Sequence, residues 1–203
     1  MPALIWPLMA QTPLFPDRLG QFGDVRKNDV HTGIDLYCEV DQPVITMEDG
    51  EVVLVEAFTG EHVVKEEDKS PWWNNTWAVL IEGAHGVLAY CEIRPVVQQG
   101  QWVRQGDLIG TVVPVLKKYK GRPAVMLHFE HMSAGSRATV WWRKEDPKPS
   151  CLIDPTSILR KAAGDTFQVF DVDYYDGVRF RDPNAVVELD PRYVFGAKLT
   201  HAS

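Results

Sequence analysis

Apolar residues recur along this chain in short runs rich in Val, Ile, Leu and aromatic side chains, each bounded by Gly, Asn, Asp or Pro. Runs of this kind predict β-strands, and apolar spacing of the helical kind is nearly absent. The pattern predicts strands over residues 44–47, 50–58, 77–82, 87–92, 108–115 and 124–131. Between two of them, Gly83-Ala84-His85-Gly86 reads as a hairpin turn, because glycine supplies the positive φ of tight turns. Strands joined in this way run antiparallel. Residues 155–163, with Ile158 and Leu159, predict a short helix. The expected fold class is all-β, mainly antiparallel, with a short C-terminal helix and a β-rich appendage.

The same pattern divides the chain. The first fifteen residues are apolar but interrupted by Pro2, Pro7 and Pro13 and lack Lys and Arg, so residues 1–21 predict an extended N-terminal arm rather than a secretory signal. Residues 22–163 carry the regular strands. Residues 164–203 turn acidic and aromatic, and the run from Phe170 to Gly177 departs from calcium-loop spacing, so exposed acidic turns are expected there. The charged stretch 61–75 ends in Pro71-Trp72-Trp73-Asn74-Asn75 and predicts a surface loop. Trp72 and Trp73 are candidates for one wall of a substrate groove.

A chain of 203 residues can bury a core without staples. Its formal net charge of −7 argues against a phosphate-binding surface and hence against a nucleic-acid partner. No apolar run approaches the length of a membrane span. Cys38, Cys91 and Cys151 make an odd count without paired spacing, which predicts reduced, mostly buried thiols.

Two fragments carry candidate chemistry. His31-Thr32-Gly33-Ile34-Asp35 and His128 together supply two imidazoles and a carboxylate, a set that suits zinc with a fourth position left to water. His31 and Asp35 stand too far apart for joint coordination on a straight strand, so the chain must bend between them, which Gly33 permits. Strand alternation puts Met126, His128 and Glu130 on one face, expected to be the polar one, and Leu127 and Phe129 on the other. Alternation also turns Cys91 away from Glu92 and into the core.

The surroundings of these residues resemble the lysostaphin-type, or LytM-like, zinc endopeptidases that cut peptide bonds in peptidoglycan. The resemblance runs from about Phe22 to Leu159, through Phe22-Gly23-Asp24-Val25-Arg26, His31 to Asp35, Asp49-Gly50-Glu51-Val52, Leu88-Ala89-Tyr90, residues 103–110, Leu127-His128-Phe129-Glu130 and Ile153-Asp154-Pro155. It implies an antiparallel sheet crossed by a groove, Zn2+ held by His31, Asp35 and His128, and a peptidoglycan peptide as substrate. Tyr90 and Met126 would line the groove. Family members carry histidines where this chain has Glu92 and Met126, and of these two replacements Glu92 can take a proton, so Glu92 is the candidate general base. A zinc-binding domain that holds peptide or regulates a partner without cleaving it is the alternative. With no secretory signal expected, cytoplasmic synthesis and access to the wall through phage or lysis machinery would follow.

Overall fold

The computed structural model describes residues 3–64, 69–118 and 123–170, with the backbone of 174–175 and 178–179. In chain order the elements are β1 (Leu14–Pro16), β2 (Ile34–Tyr37), β3 (Pro43–Ile45), β4 (Gly50–Thr59), β5 (Thr76–Gly83), β6 (Gly86–Pro95) and β7 (Trp102–Val103). They continue with β8 (Leu108–Val112), β9 (Met126–Met132), β10 (Leu152–Ile153), α1 (Thr156–Ala163), β11 (Gln168–Phe170), β12 (Tyr174–Tyr175) and β13 (Val178–Arg179).

Nine strands form one antiparallel sheet in the order β10-β9-β6-β5-β4-β7, with β2 paired to β9 and the β3–β8 pair joined to β6. The predicted hairpin at residues 83–86 is present. Gly83 pairs with Gly86, whose φ of 97° only glycine adopts freely.

The central strands read as nearly unbroken apolar runs because both faces of the sheet are covered. Leu36, Val79, Ile81, Tyr90, Ile93, Leu127 and Phe129 pack on one face against Leu8 and Phe15 of the N-terminal segment and Ile158 and Leu159 of α1. The other face carries Ala78, Leu80, Ala89, Cys91 and Met132, with Phe22, Phe58, Val140 and Trp142 packed over them. The His128 face, expected from alternation to be polar, is instead a second buried layer in which the polar side chains His128 and Glu130 are embedded.

The two ends of the described chain meet. β1 pairs in parallel with β11, and the Arg160 guanidinium of α1 lies 5.1 Å from the ring centre of Phe15 and 4.4 Å from that of Phe167. Most of the acidic run 170–177 lies outside the described residues. Among the described residues no helix is long and apolar enough to cross a membrane.

Candidate metal centre

β2 and β9 bring the two sequence fragments together, because their register sets Asp35 directly opposite His128. His31 lies just before β2, and the chain bends at Gly33 so that its imidazole folds back toward Asp35. Gly33 is needed for a different reason than the bend alone. A Cβ there would stand 2.3 Å from the Phe129 carbonyl oxygen, so the two strands can approach this closely only if residue 33 has no side chain. Gly20 does the same for Asp35. It has a φ of 95°, its added Cβ would stand 3.0 Å from the Asp35 Cβ, and its carbonyl accepts the Asp35 N–H at 2.9 Å.

His31, Asp35 and His128 are all buried and form the one group of possible ligands that converges among the described residues. His31 Nε2, His128 Nδ1 and Asp35 Oδ1 lie 3.0, 2.9 and 3.1 Å apart, an almost equilateral triangle. The remaining nitrogens settle what these atoms present. His31 Nδ1 is 2.8 Å from the Gln21 carbonyl oxygen, which can only accept, so Nδ1 carries the proton and Nε2 the lone pair. His128 Nε2 is 3.1 Å from Glu130 Oε1, another acceptor, so Nδ1 is the nitrogen free to face inward as a donor atom. Three lone-pair atoms facing one another at this distance repel unless a cation stands between them. In the metal-free protein that cation is a proton on His128 Nδ1. The edges are close to the ~3.3 Å separation of ligand atoms held tetrahedrally at ~2.0–2.1 Å, so nitrogen and oxygen donors of this kind fit zinc.

The charges agree with this picture. Burial opposes ionisation of Asp35, but its electrostatic interaction with His31 and its close contacts with both imidazoles outweigh it and hold the carboxyl well below its usual range. Burial likewise opposes charge on His128, and hydrogen bonds and charge from Asp35 and Glu130 push it up to about 10. Arg26 Nη2 takes the other Asp35 oxygen at 3.3 Å, leaving Oδ1 to the triangle. Phe58 stacks on the His128 ring at 5.7 Å.

Glu92 reaches the same face by breaking the alternation. On β6, Tyr90 pairs with Val79 and Ile93 with Trp77, so Cys91 and Glu92 together oppose Ala78 in a β-bulge. Glu92 adopts a φ of 63°, a left-handed conformation unusual for a non-glycine residue inside a strand. Its carboxylate accepts from Thr59 Oγ1 at 3.3 Å and from Thr76. Burial pushes it up to about 7 against those hydrogen bonds and the charge of His128. It lies outside the convergent group of three.

The bulge corrects two expectations. Cys91 is not turned away from Glu92 but shares its face, opposite His128, as a fully buried thiol that burial pushes well above its ordinary value. Tyr90 does not line a groove. It is fully buried on the opposite face, where its oxygen accepts the Met47 N–H at 2.9 Å. Met126 keeps the expected face, two positions before His128 on β9, and is buried. Trp73 is half-buried and Trp72 is 65% exposed, on a loop docked against residues 114–117 through a Trp73–Leu116 bridge and a hydrogen bond from Lys117 N to the Trp72 carbonyl.

Sequence reasoning assigned no role to Gly20, Gln21, Arg26, Thr32 or Glu130. Gly20 and Gln21 act through backbone carbonyls, which leave no side-chain signature. Arg26 and Glu130 stand in the quoted motifs, and their carboxylate-pairing and acceptor chemistry was the available signal.

The family model of Peptidase family M23 matches residues 29–139. No curated protein matches the chain. Among solved structures it resembles a zinc-containing peptidase from Vibrio cholerae, with 22% identity, a TM-score of 0.43, and coverage of 64% of this chain and 36% of that one. It also resembles the antimicrobial peptidase lysostaphin from Staphylococcus simulans, with 18% identity, a TM-score of 0.42, and coverage of 80% of this chain and 50% of that one. The chain thus spans about half the length of these structures or less.

Proposed function

Because the chain belongs to peptidase family M23, we propose that it hydrolyses peptide bonds of bacterial cell-wall peptides with Zn2+ held by His31, Asp35 and His128. The observation that carries this reading is the triangle of donor atoms, each turned inward by a partner on its far side. When bound, zinc would supply a polarised carbonyl and a water of lowered pKa. Glu92 takes the proton of the attacking water and passes it to the leaving amine. Its value of about 7 suits a group that must do both near neutral pH. The Thr59 and Thr76 hydroxyls aim the carboxylate, and the bulge projects it onto the ligand face.

The test is whether purified protein holds about one zinc per chain and releases soluble fragments from purified peptidoglycan. Zinc-free protein after zinc-supplemented expression, or an unchanged metal content in His128→Ala, would overturn the assignment.

A second reading, a zinc-binding domain that holds peptide without cutting it, is favoured by Met126, whose thioether neither takes nor gives a proton beside His128. On that reading the parent binds wall peptides without cleavage, and Met126→His combined with Glu92→His creates zinc-dependent hydrolysis. Cleavage by the parent excludes it.

A further inference from the structure

Glu130, whose Oε1 lies behind the His128 ring, is among the most deeply buried charged side chains of the described residues. Its Oε2 has no hydrogen-bond partner, although a buried carboxylate oxygen without one is costly. All of its polar contacts go through Oε1, which accepts from Thr32 Oγ1 at 2.5 Å and faces His128 Nε2 at 3.1 Å. Thr32 Oγ1 is itself 3.4 Å from the same nitrogen. Gly33 makes the room, since a Cβ there would stand 3.1 Å from Glu130 Cγ. The segment from His31 to Asp35 therefore has an inner function. Its outer residues face the triangle, Thr32 grips Glu130, and Gly33 lets the glutamate lie beneath.

We infer that Glu130, seated by Thr32, is a positioning residue that decides which nitrogen of His128 faces the metal. An acceptor at Nε2 keeps the proton there and leaves Nδ1 as the donor atom, and the negative charge behind the ring makes that atom a stronger ligand. The inference rests on the zinc reading above and adds to it which atom binds and what aims it. A buried carboxylate that merely braced β2 against β9 would not govern the choice of nitrogen.

The full chain tests this as parent, Glu130→Leu, Glu130→Gln and Thr32→Val, with zinc affinity measured by chelator competition and the His128 ring nitrogens followed by 15N NMR. Glu130→Leu should weaken zinc binding by about 10- to 100-fold, the scale for losing such a partner. Glu130→Gln, whose carbonyl oxygen can still accept, should recover most of that loss. Thr32→Val should fall between them. In the zinc-loaded parent and in Glu130→Gln the 15N shifts should place the metal on Nδ1. In the metal-free parent the Nε2–H should resonate far downfield and move upfield in Glu130→Gln, a readout that remains if Glu130→Leu fails to fold. Parent-like zinc affinity in Glu130→Leu, metal on Nε2 in the parent, or an Nε2–H that does not move in Glu130→Gln overturns this inference and leaves the metal centre standing. A parent that binds no zinc overturns the metal centre itself, and this inference with it.

Discussion

At Glu92, a backbone conformation that disfavours side chains coincides with a buried carboxyl, at φ 63° and with almost no exposure. Such strain persists only where the surroundings enforce it, and here the surroundings are the bulge and two threonine hydroxyls. The consequence can be measured in two ways. Glu92→Gln should keep zinc and shape while lowering the rate of peptide release by about 100-fold or more, the usual scale for removing a positioned base. A near-parent rate would put the base elsewhere. The stability sign also follows. Burial raises the folded value from 4.5 to about 7, so the fold prefers the protonated acid. That preference is fully present below 4.5 and is lost as pH rises through about 7. Glu92→Gln removes the titration, so its stability relative to the parent should rise between pH 4 and pH 8, by up to about 3 kcal/mol at ~1.4 kcal/mol per pH unit of separation. Urea denaturation at the two pH values checks this, and a difference that does not change with pH contradicts it.

The strands themselves explain what the sequence could and could not tell. Strands over residues 50–58, 77–82, 87–92 and 124–131 are read correctly from apolar runs because they lie in the centre of a sheet covered on both faces, and the observed elements differ from them by a few residues at the ends. β2 escapes detection because its four residues, Ile34–Tyr37, contain a buried aspartate that breaks the apolar pattern. The three ligand candidates are legible through motif resemblance. Their partners are not, since backbone carbonyls at Gly20 and Gln21 have no residue type. Alternation assigned both Tyr90 and Glu92 to one face. A single bulge makes that impossible, and no residue type in Tyr90-Cys91-Glu92-Ile93 signals it. Tyr90→Phe should therefore leave zinc content and cleavage untouched while costing ~1–3 kcal/mol for the stranded Met47 N–H. A fall in peptide affinity would restore Tyr90 to the groove. Gly33→Ala should act in the opposite way. Its Cβ cannot coexist with the Phe129 carbonyl at 2.3 Å, so β2 must shift along β9 and part Asp35 from His128. Zinc content should drop below half a site per chain in a protein whose far-UV circular dichroism stays parent-like. Full zinc retention would mean that the strands separate without disturbing the ligands.

Across the whole molecule, the candidate metal centre is embedded in one of two packed layers rather than holding them together. One layer joins the N-terminal segment, the sheet and α1, and the other covers the ligand face with Phe22, Phe58, Val140 and Trp142. Neither cluster depends on a bound ion, so chelation should leave the fold intact and lower its melting temperature only by the binding linkage. At free zinc of 100 times Kd that linkage is about 2.7 kcal/mol. For a chain of this length, a change of this size corresponds to a shift of roughly 5–10 °C. The linkage should depend steeply on pH, with a sign fixed by the triangle. His128 is raised to about 10 in the metal-free protein, so at pH 6 to 8 it carries the inward proton that zinc must displace. Each unit of pH rise removes one tenfold cost, and the apparent Kd should fall about 100-fold from pH 6 to pH 8 with close to one proton released per zinc. Glu92, ionising through about 7 on the same face, adds to the trend in the same direction. Calorimetry in buffers of different ionisation enthalpy counts the protons. Zinc affinity that is flat across this range would mean that no proton occupies the space between Asp35, His31 and His128.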